Sequence, residues 1–138
     1  TGLNSTYAVT IPANVLRSTG RLSVDLFGTY LTDSLAELKF TIQLGGTNIF
    51  TLAKTPLSSA TAALLIHTDL IAEAVTTSFA YGSYRVTGDT EVLAHGTSTQ
   101  DLTTNLVFEI FAGWNAADPS RSYTMKYADA LLYFPTDT

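Results

Sequence analysis

Residues 38–46 read Leu38-Lys39-Phe40-Thr41-Ile42-Gln43-Leu44-Gly45-Gly46, and this stretch decides the fold class. Apolar side chains stand at 38, 40, 42 and 44 and polar ones at 39, 41 and 43, the period of two of an extended strand whose successive residues face opposite sides. One face is fit for a core and the other for water. Gly45-Gly46 can take the positive φ angles of a two-residue hairpin turn, and the apolar pattern restarts at Ile49 to Leu52, so residues 38–52 are expected to form a β-hairpin.

The same rhythm extends in both directions. Upstream, Tyr7, Val9 and Ile11 alternate with Ala8 and Thr10 until Pro12 and Asn14 break the run. Leu22, Val24 and Leu26 then alternate with Ser23, Asp25 and Phe27, and Gly28 interrupts at a position suited to a bulge or a close backbone approach. Downstream, residues 58–75 permit two readings. Ser58 or Ser59 could cap an alanine-rich helix, but Leu64, Ile66, Thr68 and Leu70 also alternate, and the strand is preferred. Residues 78–87 are aromatic and β-branched and close on Gly88-Asp89, which predicts another strand. A short strand is expected at 91–94, followed by a polar loop from His95 to Thr104. Gly82-Ser83 reads as a strand bulge and Gly96-Thr97-Ser98 as part of the flexible loop.

Leu106, Phe108, Ile110 and Ala112 oppose Val107, Glu109, Phe111 and Gly113, so both faces are largely apolar and a central, well-covered strand is expected. A turn at 115–119 and two closing runs, 122–127 and 130–134, complete the series before Pro135. Eight to ten strands with no crossover helix predict an all-β fold, a two-sheet antiparallel β-sandwich of jelly-roll type. The 138 residues suit a single domain, with 1–5 and 135–138 as terminal tails.

Composition agrees. Thr and Ser fill about a quarter of the chain, and charged residues only 14%. A net charge of -5 with seven Lys and Arg removes the attraction that drives nucleic-acid binding, so no nucleic-acid partner is expected. Cysteine is absent, which excludes disulfides and thiolate metal sites. Thr1 to Thr6 lacks a basic region followed by an apolar core, and the apolar stretch at 62–74 is interrupted by His67, Asp69 and Glu73, so neither a signal peptide nor membrane insertion is expected. A chain that begins at Thr1 fits either removal of the initiator Met or excision from a longer protein.

No catalytic constellation emerges. His67 and His95 fall in different segments and read as exposed or edge-strand residues, with Asp69 placed to pair with His67 on one strand face. No Gly-x-Ser-x-Gly elbow occurs. Glu37, Glu73, Glu91 and Glu109 are the candidates for a glycosidase pair, and Glu109 is the most notable because it lies between Phe108 and Ile110. A partner such as Arg85 or Arg121, or exposure on an outer face, accounts for it without catalysis. Gly45-Gly46 precedes no Lys and no helix, so it is not a phosphate loop. The alternating Asp and Asn of a calcium loop is also missing, so no metal or other cofactor is called for. Trp114 and Asn115, with Tyr81 and Tyr84, and with Tyr123 and Tyr127 nearby, could form a platform on which a sugar stacks. The competing reading places these aromatics in the core or a subunit interface.

Three runs carry a resemblance: Tyr7 to Leu16, Gly20 to Tyr30 and Leu38 to Thr47, followed by the late Leu106 to Trp114 strand, a polar turn and a closing strand. In this order they resemble the jelly-roll domains of tailed-bacteriophage virion proteins, over residues 5–134, with 55–104 following the pattern least. The resemblance implies a non-enzymatic structural protein on the virion surface, made in the host cytoplasm. It would act as a capsid decoration or head-fibre protein, or as a tail-fibre receptor-binding module. It also implies contacts with other capsid or tail proteins, homo-oligomers that are commonly trimers, and possible binding of a host surface glycan. The alternative is a carbohydrate-binding β-sandwich module.

Overall fold

The computed structural model describes residues 3–32, 36–55, 59–116 and 121–134. Nine strands follow in chain order: β1 (Asn4–Ile11), β2 (Arg21–Thr32), β3 (Leu38–Leu44), β4 (Thr47–Lys54), β5 (Ser59–Ala74), β6 (Thr77–Val86), β7 (Val92–Ser98), β8 (Leu106–Trp114) and β9 (Ser122–Tyr133). There is no helix among the described residues, and all pairings are antiparallel. A four-stranded sheet in the order β1-β8-β3-β4 packs on a five-stranded sheet in the order β7-β6-β5-β2-β9.

The stretch at 38–46 folds as its pattern requires. Leu38, Phe40, Ile42 and Leu44 are fully buried, and β3 returns as β4 through Gly45 and Gly46, whose φ angles are +60° and +81°. An L side chain is strained in that region, so both glycines serve the turn. The preferred strand at 58–75 is β5, where Leu64, Ile66 and Leu70 point inward. The inward faces of both sheets share one apolar cluster in which the Phe40 and Tyr84 rings meet edge to face, 5.1 Å apart. Fully burying a side chain such as Phe or Leu contributes about 1.5–3 kcal/mol.

Gly28 meets both expectations for it. The β2–β9 register shifts between Phe27 and Gly28, and a Cβ on Gly28 would strike the Thr124 carbonyl oxygen.

Five expectations are corrected. Asn4 and Ser5 are not tail: their backbones pair with Ala112 and Phe111 as the start of β1, while the expected tail at 135–138 lies outside the described residues. The segment from His95 to Ser98 is strand, not loop, because β6 extends far enough to pair with it from Tyr81 to Ser78. Gly96 there admits the β4 backbone, since a Cβ would press into the Ile49 carbonyl oxygen. Gly82 is no bulge: it sits in regular register opposite Thr68 and Ala94, and its missing side chain makes room for the Phe50 ring. His67 is not on an edge, because β5 is the middle strand of five. Finally, β8 is central as expected, but its outer face is covered only in part, with Val107 exposed and Glu109 and Phe111 half-buried there.

Candidate functional site

Strand parity decides which side chains reach the surface. On β2 the even positions 22–32 face the core and the odd ones face outward, and register carries this division across to β5, β6, β7 and β9. The outer face of the five-stranded sheet is therefore a set of rows running across the strands. One row is His95, Tyr81, Asp69, Ser23 and Leu131; the next is Leu93, Ser83, His67, Asp25 and Asp129; a third runs from Arg85 through Leu65 and Phe27 to Tyr127.

At the centre of this face His67 lies between two carboxylates. Its Nδ1 is 2.6 Å from Asp25 Oδ1 on β2, and its Nε2 is 2.7 Å from Asp69 Oδ2 on its own strand. Neutral imidazole has one N–H, so donating to both carboxylates requires the doubly protonated ring. Burial pulls the His67 pKa down, but the hydrogen bonds and charges of Asp25 and Asp69 outweigh it and the net shift is upward. Asp69 is buried, which raises its pKa, yet hydrogen bonds from Ser23, His67 and Tyr81 bring it below its usual value. The bond to Asp69, more than burial, raises the Tyr81 phenol in turn. Arg21 Nε lies 3.9 Å from Asp69 Oδ1, and its guanidinium stacks 4.0 Å over the Tyr133 ring.

Aromatic and aliphatic side chains surround this charged centre. Phe27 and Tyr127 form a tilted pair 5.8 Å apart, and Phe79 stacks on His95 at 5.7 Å. Ten large apolar side chains stand out to solvent among the described residues. Six of them, Phe27, Tyr81, Leu93, Tyr127, Leu131 and Tyr133, belong to this one face. The outer face of the four-stranded sheet is more polar, presenting Thr10, Lys39, Gln43, Thr51 and Glu109, but it also carries exposed Val107 and half-buried Phe111, and exposed Leu3 lies beside its Lys39 and Gly113.

The four candidate platform residues do not converge. Tyr84 is 0% exposed and burial pushes its phenol far up; it differs from Tyr81 by three positions and so points into the core while Tyr81 points out. Trp114 is 8% exposed and belongs to the core. Asn115 is used structurally, its backbone N–H donating to Glu37 O at 2.9 Å and its Oδ1 accepting from Glu37 N at 3.0 Å. Only Tyr81 keeps an exposed aromatic surface. Tyr123 is half-buried, with its hydroxyl donating to Ala112 O, whereas Tyr127 is 58% exposed.

Glu109 projects from the outer face of β8 between Ala8 and Gln43, and Arg85 pairs instead with Glu91 at 3.5 Å. No three His, Asp or Glu residues among those described are placed to hold a metal ion. The imidazolium fills the gap between Asp25 and Asp69, so this trio is a salt-bridged cross-link between strands. Among the described residues no helix is long and apolar enough to cross a membrane.

The sequence signals for this site were partial. Pairing of Asp69 with His67 was expected from their spacing of two, but Asp25 comes from 42 residues away and enters only through the β2–β5 register. Comparison with protein-family models, with curated proteins and with solved structures finds no match for the chain.

Proposed function

We propose that this chain is a non-enzymatic contact module of the tailed-phage virion surface, a capsid decoration or head-fibre protein or a tail-fibre domain. The observation that carries the contact reading is the aromatic outer face of the five-stranded sheet. Tyr, Phe and Arg are enriched in the buried centres of protein interfaces, and exposed apolar patches of this kind mark surfaces that become covered. The virion setting rests on the sequence resemblance. The jelly-roll type is supported by the interleaving of first and last strands, β1 beside β8 in one sheet and β2 beside β9 in the other. The β3–β4 hairpin and the β5–β6–β7 meander are local departures from strict alternation between sheets.

Mass spectrometry and antibody labelling of purified particles from the source virus test this reading. Detection of the chain at the capsid or tail surface supports it, and absence from all particles overturns it.

Glycan binding is the second reading, and one observation favours it. An open cleft of about 400 Å³ is lined by Phe27, Leu65, Arg85, Asp89 and Glu91, among others. An exposed ring beside carboxylates and a guanidinium suits the apolar face and hydroxyls of a sugar. Because Trp114 is buried, the discriminating variant is Phe27→Ala. Glycan-array binding lost in that variant supports this reading, and no binding by the wild type removes it.

A further inference from the structure

We infer that the open side of the sandwich, between the edges of β1 and β9, is an acceptor groove for one extended peptide strand of another protein. That strand would pair with β9 and lay its apolar side chains between the sheets, a mode of binding independent of the aromatic outer face and of the virion setting. The two sides of the sandwich differ. On one, β4 lies against β7, so closely that a Cβ on Gly96 would strike the Ile49 carbonyl oxygen. On the other, β1 and β9 are the sheet edges and make no comparable contact. Among the described residues β1 pairs only with β8 and β9 only with β2, so each edge presents a row of backbone N–H and C=O groups with no strand beside it.

The side chains bear out the gap. Register turns Val9 on β1 and Ala128, Ala130 and Leu132 on β9 toward the space between the sheets, beside Phe108, Leu26, Val24 and Leu22 on the neighbouring strands. Those four neighbours are buried, yet Ala128 is exposed and Val9, Ala130 and Leu132 are only half-buried. A cavity of about 140 Å³ lies here, walled by Val9, Ile11, Leu22, Ala130 and Leu132 among others. Water in it would find few polar partners, so an apolar side chain suits it better.

Neither edge is defended along this groove. Strand edges are commonly blunted by Lys, Pro or a bulge, but β1 carries no charge and no Pro, and β9 from Tyr127 to Tyr133 carries only Asp129, which faces outward. The β9 bulge falls at Lys126, ahead of the groove.

Width selects the occupant. The stretch from Tyr127 to Tyr133 at about 3.3 Å per residue is roughly 23 Å long, and sheets stand about 10 Å apart, which gives on the order of 230 Å². A folded partner covers about 800 Å² per side, far more than the groove offers. A single strand needs only this width, because its affinity comes from main-chain hydrogen bonds to the edge and its specificity from alternate side chains in pockets. The matching segment therefore alternates aliphatic with hydroxyl or basic residues and lacks acidic ones, since the acceptor has a net charge of -5.

Fluorescence anisotropy of the full chain provides the test, with a library of end-blocked peptides about eight residues long in which Val, Leu or Ala alternates with Thr, Ser or Lys. At least one member should bind with a Kd below about 1 mM. In that complex, amide hydrogen exchange should slow along Ala128 to Leu132 and stay unchanged on β4 and β7. Methylating one alternate set of the peptide's backbone nitrogens should weaken binding by at least about tenfold, and methylating the other set should not, because a strand turns only every second N–H toward its neighbour. Ala128→Lys should weaken binding by a similar factor with wild-type circular dichroism, since Ala128 is exposed and its variant has no core to disturb. Tyr127→Lys on the outer face is the control and should leave the affinity unchanged. No binding by any member up to about 1 mM overturns the inference, as does binding indifferent to Ala128→Lys or to both methylations. Protection of Ala128 to Leu132 that grows with protein concentration when no peptide is present also overturns it, by placing a second copy in the groove. None of these measurements involves particles, so a failure here leaves the virion reading to its own test.

Discussion

His67 on β5 and Asp25 on β2 lie opposite one another in the strand register, and their side chains meet at 2.6 Å across the outer face of the five-stranded sheet. Asp69 holds the other ring nitrogen, so one imidazolium ties two strands together at the centre of the surface proposed for contact.

The sign of the pH dependence follows from the two shifts. His67 is raised, so its contribution is complete below about 6.5, the ordinary histidine value, and is lost as pH climbs through its elevated pKa. Asp69 is lowered, so its contribution is present above about 3.9 and is lost as pH falls through its depressed pKa. Urea denaturation should therefore show greatest stability in the mildly acidic window between these limits. His67→Gln should flatten the alkaline decline by about 1 kcal/mol, a modest figure because His67 and Asp25 remain about one-third exposed and solvent screens them. An alkaline limb identical in wild type and variant would refute the clamp.

Tyr84 tests the reassignment of an expected sugar contact to the core. Its hydroxyl is buried and meets no hydrogen-bond partner among the described residues, while its ring packs on Phe40. Tyr84→Phe removes an unsatisfied group without opening a cavity and should change stability by roughly 0 to +1 kcal/mol. Tyr84→Ala should cost about 3–5 kcal/mol. Thermal denaturation of both variants checks the pair, and a strongly destabilised Phe variant would mean that the hydroxyl is bonded.

Gly96 is where β4 closes over β7. Replacing it with Ala puts a methyl group against the Ile49 carbonyl, a backbone atom that cannot rotate away, so Gly96→Ala should cost about 1–3 kcal/mol. Gly46, by contrast, has open space around it, and its substitution should be limited by its positive φ alone. Guanidinium midpoints for the two alanine variants measure the difference.

Trp114 and Tyr127 should exchange the roles that their residue types suggest. Trp114→Ala empties a core position and should cost about 3–5 kcal/mol. Tyr127→Ala sits on the open face and should change the stability of the isolated chain by no more than about 1 kcal/mol. Equal losses in a denaturation series would place Tyr127 in the core as well.

Fold class was legible because a period of two needs only local sequence, and Leu38 to Leu44 displays it without interruption. Even the alanine-rich 58–75 stretch resolved by this rule. Strand ends were less legible: His95 to Ser98 looks like polar loop until β6 supplies a partner. The site was least legible, since Asp25 and His67, or Phe27 and Tyr127, become neighbours only through long-range register. Parity, however, already separates Tyr81 from Tyr84. Three positions apart on one strand, the two cannot share a face.

Hydroxyl-radical footprinting of the isolated monomeric chain against its assembled form, whether self-oligomer or particle, tests the contact face most directly. Tyr127, Tyr133 and Leu93 should become protected on assembly while Val107 on the opposite sheet labels as before. Protection of Val107 with Tyr127, Tyr133 and Leu93 left fully reactive would contradict the assignment of this face.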